Sequence, residues 1–204
     1  MTTNTNKMIG VALAVTIIIS IGILLYVNLP KQTDVVVNDD DNTAKKTSPS
    51  VFSLIYDDEQ KNFTLSGLQQ IETYTAKGGY RTQSGFIKGF GNYTGVNITT
   101  LVSMFSPAPY QYSLTITSED NETQKFNFTT IQGHVDVYDP HNASNPDPIG
   151  KGNMTMMLAF QYEGNWLDES NDGTLKIVFV DEQGSITQAS LWWKKVTSMR
   201  IITE

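Results

Sequence analysis

The stretch Gly91-Asn92-Tyr93-Thr94-Gly95-Val96-Asn97-Ile98-Thr99-Thr100-Leu101-Val102-Ser103-Met104-Phe105 constrains the fold of this 204-residue chain more than any other. Thr94-Gly95 reads as a tight turn. Asn97 reads as the N-cap of a short helix, because its side-chain oxygen can accept from a free backbone N–H of the first turn. Ile98, Leu101, Val102 and Phe105 then fall at i, i+3, i+4 and i+7, which makes one apolar stripe. Pro107 and Pro109 stop the helix.

Strands dominate the remainder. Phe63 to Ile71 predicts a helix of one or two turns, with Ser66 and Gln69 at capping-box spacing and Leu65, Leu68 and Ile71 facing inward. Thr73 to Thr82 and Ser84 to Phe90 read as strands joined by turns. Tyr112 to Thr117 alternates like a half-buried strand, and Gln124 to Ile131 is its expected partner, with Phe126 and Phe128 on one face. Gly133 to Tyr138 predicts a further strand. Asp139 to Gly152, with three prolines, is a loop. Met154 to Tyr162 is continuously apolar, as a strand buried on both faces would be. Thr174 to Val180 is a second central strand, and Leu191 to Ile202 closes the chain. Runs of strands without regular βα alternation indicate an α+β fold with mixed and antiparallel sheets and two or three short helices. No period of repeat length is visible.

A different signal lies upstream. Ile9 to Val27 is an uncharged, almost wholly apolar run of 19 residues, long enough to cross a bilayer as one helix. Tyr26-Val27-Asn28-Leu29-Pro30-Lys31 is a poor cleavage site, which favours an uncleaved anchor over a signal peptide. A pilin-type leader cut after Gly10 lacks the acidic residue expected early in such a run. Residues 1–8 are expected in the cytoplasm, 9–27 in the membrane, 28–50 in a solvated stalk, and 51–204 in a folded extracellular domain. Lys7 and Lys31 flank the run evenly, so charge does not orient it. The sequons do: Asn62, Asn92, Asn97, Asn121, Asn127, Asn142 and Asn153 all lie beyond the anchor. A single-pass membrane glycoprotein with its domain outside the cell is the expectation.

The chain has no cysteine, which removes thiolate metal sites and thiol nucleophiles. From Val51 onward 10 Lys and Arg stand against 17 Asp and Glu. That balance argues against a nucleic-acid partner.

The ordered motifs carry a resemblance. Tyr93-Thr94-Gly95-Val96-Asn97-Ile98-Thr99-Thr100-Leu101-Val102 resembles the "Y-x-G-V-P-L-x-x-L-L" segment of the oxidoreductase molybdopterin-binding domain, the fold of sulfite oxidases. Leu65 to Ile71 is similar to that family's opening helix, and Tyr112 to Phe128 to its strand pair. Met157 to Leu167 resembles "L-L-A-Y-x-x-x-G-x-P-L", Asp172 to Val178 "x-G-x-P-L-R-L-V", and Trp193 to Ile201 "V-K-W-V-x-x-I-x-V". The resemblance implies an inherited molybdopterin pocket. Its members ligate molybdenum through a cysteine placed between the opening helix and the "G-V-P-L" segment. Here Thr82 and Ser84 are the nearest polar stand-ins, and a hydroxyl cannot replace a soft thiolate. Arg81, Lys88, Lys194 and Lys195 are the cations available to a pterin phosphate. The expected cofactor-binding set is therefore Arg81, Thr82, Ser84, Lys194 and Lys195. A non-catalytic binding or surface-interaction module without cofactor is the first functional expectation, with a small-molecule or protein ligand outside the cell. A molybdopterin-dependent oxidoreductase or its accessory is the alternative, and a structural surface protein or minor pilin a third class.

His134, Asp136, Asp139 and His141 form an H-x-D-x-x-D-x-H pattern whose donors suit a divalent cation, against the plainer reading of a polar loop after a strand. Trp192-Trp193-Lys194-Lys195 offers rings and cations, but in an alternating strand at least one Trp faces the core. No G-x-S-x-G elbow is present. Met154, Met156 and Met157 read as adaptable core residues rather than copper ligands.

Overall fold

A computed structural model describes residues 49–142, 145 and 147–203. The expected membrane segment 9–27, residues 1–8 and nearly all of the stalk 28–50 lie outside these. Among the described residues no helix is long and apolar enough to cross a membrane.

Alternating apolar positions build the first sheet. β1 (Phe52–Tyr56) and β2 (Glu59–Phe63) form an antiparallel hairpin, and β13 (Val196–Ile202) lies parallel to β1 on its other side. β5 (Ser113–Ser118) and β6 (Thr123–Phe126) continue the sheet antiparallel, giving the order β2-β1-β13-β5-β6. Phe52 and Leu54, Leu114 and Ile116, and Met199 and Ile201 are all buried in one cluster, because residues two apart share a face. The β2 hairpin arm, Glu-Gln-Lys-Asn-Phe, has no apolar alternation and was not expected as a strand.

The second sheet closes on itself. β3 (Thr73–Arg81) pairs with β4 (Ile87–Asn97), β4 with β9 (Thr155–Tyr162), β9 with β11 (Lys176–Asp181), and β11 again with β3 through Val180 and Gly78. β10 (Asn165–Trp166) extends β9, and β12 (Ile186–Gln188) runs parallel to the end of β3. Met157, Ala159, Val178 and Val180 join Ala76 and Tyr93 in a cluster contributed by all four ring strands, so it fills the ring. Met156, Leu158, Ile177 and Phe179 point the other way, into the core shared with the first sheet. This explains the continuous apolar runs: β9 and β11 are buried on both faces. Each fully buried aliphatic side chain contributes about 2 kcal/mol of transfer free energy.

Three short helices complete the α+β fold: α1 (Leu65–Gln69), α2 (Ile98–Val102) and α3 (Phe128–Ile131). Asn97 caps α2, its Oδ1 accepting from Thr99 N at 3.0 Å. Ile98, Leu101, Val102 and Phe105 are all buried, as the stripe predicts.

Five local expectations are corrected. Thr94-Gly95 is not a turn but lies inside β4, at a register shift against β9, where a Cβ on Gly95 would collide with the Leu158 carbonyl. Thr64 rather than Ser66 begins α1, because its Oγ1 accepts from Gly67 N at 3.0 Å while its own backbone stays extended. The strand expected over Gln124 to Ile131 ends at Phe126, where Asn127 caps α3 by accepting from Thr130 N at 2.9 Å. The C-terminal segment is interrupted: Ala189–Leu191 forms a 3-10 turn, and Lys195 takes φ +55° before β13 begins. The strand expected over Gly133 to Tyr138 narrows to β7 (Asp136–Val137), paired with β8 (Gly150–Lys151).

Candidate functional site

β3 and β12 run parallel, with Arg81 opposite Gln188 in register, so both strands end together. The chain leaves β3 into the Thr82–Phe86 turn and leaves β12 into the 3-10 turn. Between these exits lies a cavity of about 510 Å³, lined by Arg81, Thr82, Gln83, Tyr138, Gln188 and Ser190. Its size falls in the range of small-molecule sites. Tyr138 reaches it because its backbone bridges to Ile186 of β12, N to O at 2.8 Å.

The walls are fixed by hydrogen bonds. Thr82 Oγ1 accepts from Phe86 N at 3.0 Å, which closes the turn, and lies 3.2 Å from Ser84 Oγ. Gln188 Nε2 donates to Tyr138 Oη at 2.7 Å. The Arg81 guanidinium sits over the Tyr138 ring, 5.8 Å from its centroid. Arg81 Nε is buried with no hydrogen-bond partner among the described residues. That nitrogen is closed to solvent, so the part of Arg81 that lines the cavity is the rest of its guanidinium.

The expected cofactor-binding residues are thus divided. Arg81 and Thr82 share the cavity, with Ser84 one hydrogen bond behind Thr82. Lys194 and Lys195 are elsewhere: they line a second cavity of about 340 Å³ with Asp120, Glu122, Asn171 and Trp193. Lys194 Nζ donates to Asp172 Oδ1 at 3.0 Å and to Asn171 Oδ1 at 3.2 Å. It is committed to the Asp172 loop rather than to the Arg81 cavity.

The four candidate metal ligands are not gathered either, and among the described residues no three His, Asp or Glu side chains form a metal-holding group. Asp136 pairs with Lys151 across β7 and β8, Nζ to Oδ1 at 2.7 Å. Asp139 Oδ1 accepts from His141 N at 2.8 Å, an Asx-type turn. His134 lines a shallow cavity with Asp136 and Lys151. Turn chemistry and an ion pair use the carboxylates that the spacing offered to a cation.

The ring interior holds a group that sequence reasoning missed. Lys176, read as part of an apolar strand, is only 3% exposed. Its Nζ donates to Asp172 Oδ1 at 3.0 Å and lies 5.5 Å from the Trp192 ring centroid and 5.8 Å from those of Tyr80 and Tyr93. Burial pulls the Lys176 amine below its ordinary pKa, and Asp172 offsets part of that. Burial also pushes the Tyr93 phenol far up, as does the charge that would sit nearby on Tyr162. Trp192 Nε1 donates to Thr187 Oγ1 at 2.8 Å, so Trp192 is a core residue tied to β12. The Lys176 signal was its place, every second residue from Val178 and Val180 on one strand face.

The donor set at Arg81 can be tested against a molybdopterin. The cavity offers one guanidinium, hydroxyls and amides, and the chain contains no thiol. These residues fit an anion or a polar ligand. They do not fit a molybdenum bonded to the protein through sulfur.

No protein-family model matches the chain, and no curated protein matches it. Among solved structures, the sulfane dehydrogenase SoxCD from Paracoccus pantotrophus is similar at 14% identity and a TM-score of 0.49, covering 75% of this chain and 38% of that one. The chain therefore spans well under half the length of that structure's chain. A likeness of this size leaves fold family and function to be argued from the residues.

Proposed function

We propose that the chain is a membrane-tethered surface protein whose folded domain is a non-catalytic module that binds a small polar or anionic ligand in the Arg81 cavity. One observation carries the reading: a single guanidinium, Arg81, stands at the wall of a cavity of about 510 Å³ whose other polar lining groups are all uncharged. The ordered motifs from Leu65 to Ile201 support a sulfite-oxidase-type scaffold, and the missing sulfur supports binding without that family's chemistry. The apolar run 9–27 supports the tether. Asn62, Asn92, Asn121, Asn127, Asn142 and Asn153 are exposed, which supports an outward-facing glycoprotein.

The test is thermal melting of the full-length chain with a panel of sugars, sugar acids, nucleotides and amino acids. At least one compound is expected to raise the melting temperature, and Ser190→Trp, which sets a bulky ring in the cavity lining, is expected to abolish that rise. No stabilising compound, or equal stabilisation of the Trp variant, sinks the reading. Protease digestion of intact cells tests the topology, since the domain is expected to be cut from outside. The molybdopterin alternative is separated by elemental analysis of natively produced protein: stoichiometric molybdenum would replace the module reading.

A further inference from the structure

The lining of the Arg81 cavity also constrains what enters it, and this step rests on the binding-module reading above. Arg81 is the one cation among the described lining residues, and none of those residues is acidic. The two Nη groups of a guanidinium present parallel N–H bonds at the spacing of the two oxygens of a carboxylate. A single positive charge balances a monoanion, whereas a phosphate monoester near neutral pH brings up to two negative charges, the second uncompensated inside a partly enclosed site.

Around the cation stand neutral groups only: the Thr82 and Ser190 hydroxyls, the Gln83 and Gln188 amides, and the Tyr138 hydroxyl that holds Gln188. Each of these accepts and donates, as neighbouring hydroxyls on a ligand require. The guanidinium carbon lies 5.8 Å from the centroid of the Tyr138 ring, within cation–π range. We propose that the ligand of this cavity is a carboxylate-bearing polyol of monosaccharide size, a sugar acid of the uronate kind, with its carboxylate on Arg81.

Calorimetric titration of the full-length chain with glucuronate, glucose and glucose 6-phosphate tests this. Glucuronate is expected to bind at least about tenfold more tightly than either of the others, since only it pairs a planar monoanion with the fork. Arg81→Lys keeps the charge and loses the fork, and is expected to weaken glucuronate about tenfold with an unchanged melting temperature. Glucose or glucose 6-phosphate binding as tightly as glucuronate overturns the carboxylate assignment while leaving a small-molecule site in place. Failure of all three to bind overturns it too, and the wider compound panel then decides the module reading separately. Should the lysine variant not fold, the comparison of the three probes on the unaltered chain decides alone.

Discussion

Lys176 and Asp172 form an ion pair of 3.0 Å, with the ammonium held among three aromatic rings inside the ring of strands. Asp172 is shared, since Lys194 reaches the same carboxylate oxygen from outside, also at 3.0 Å. The two ends of the pair differ in exposure. The lysine side chain is 4% exposed and the aspartate 20%, so burial works mainly against the ammonium.

Removing the carboxylate leaves that ammonium uncompensated. Asp172→Asn is expected to lower unfolding free energy by about 3 kcal/mol. Lys176→Met, which replaces the charge by an apolar chain of similar length, is expected to stay within about 1 kcal/mol of the parent. Guanidinium denaturation of both variants reads this directly. A milder loss for the aspartate variant than for the methionine variant would contradict it.

Acid should expose the same pair. Burial pushes the Asp172 carboxyl up, but the hydrogen bonds from Lys176 and Lys194, together with their charges, outweigh it and hold the group below its ordinary 3.8. With the folded value below the unfolded one, its contribution is complete above the unfolded value and is lost as pH falls through the folded value. Denaturation midpoints are therefore expected to drop as pH passes below 3.8, and to drop less in Asp172→Asn. Parallel acid limbs for the two proteins would remove Asp172 from the account.

Asn97 is the one sequon asparagine that is not exposed, and its Oδ1 accepts from both Thr99 N and Thr99 Oγ1, at 3.0 and 2.8 Å. Glycopeptide mass spectrometry of the natively produced protein is expected to find Asn97 unmodified even where the other sequons carry glycan. Asn97→Ala is expected to cost about 1 kcal/mol through the lost cap, and Asn97→Asp much less.

Gly95 allows β4 to approach β9 closely. Gly95→Ala sets a methyl against the Leu158 carbonyl and Ala159 Cα, and is expected to cost about 2 kcal/mol or more by overpacking. Thermal melting measures it. A neutral substitution would mean that β9 can shift at that register change without penalty.

What was legible in the sequence followed from periodicity. The α2 stripe, its Asn97 cap and the two strands buried on both faces came from local spacing, which the packing then used. The errors share a cause: a residue's role was set by a partner distant in sequence. Gly95 looks like turn chemistry until β9 lies beside it, and Thr64 outcompetes Ser66 because β2 delivers it in extended form. Lys176 passed as part of an apolar run because its counter-charge comes from the loop before β11. The Arg81 cavity was half legible. Arg81 and Thr82 were marked for their polarity, whereas Gln188 and Ser190 enter only through the parallel pairing of β12 with β3, which no local pattern signals. Lys194 and Lys195 were grouped with them on charge alone, and the Asp172 loop claims Lys194 instead.

The circle of β3, β4, β9 and β11 has one more implication. Each of these staves finds a neighbour on either flank within the same molecule, so none offers a sticky border to another copy. Hairpins at the rim are therefore free to lengthen, shorten or change residues without inviting aggregation. The lining of the crevice can change by substitution while the staves stay as they are.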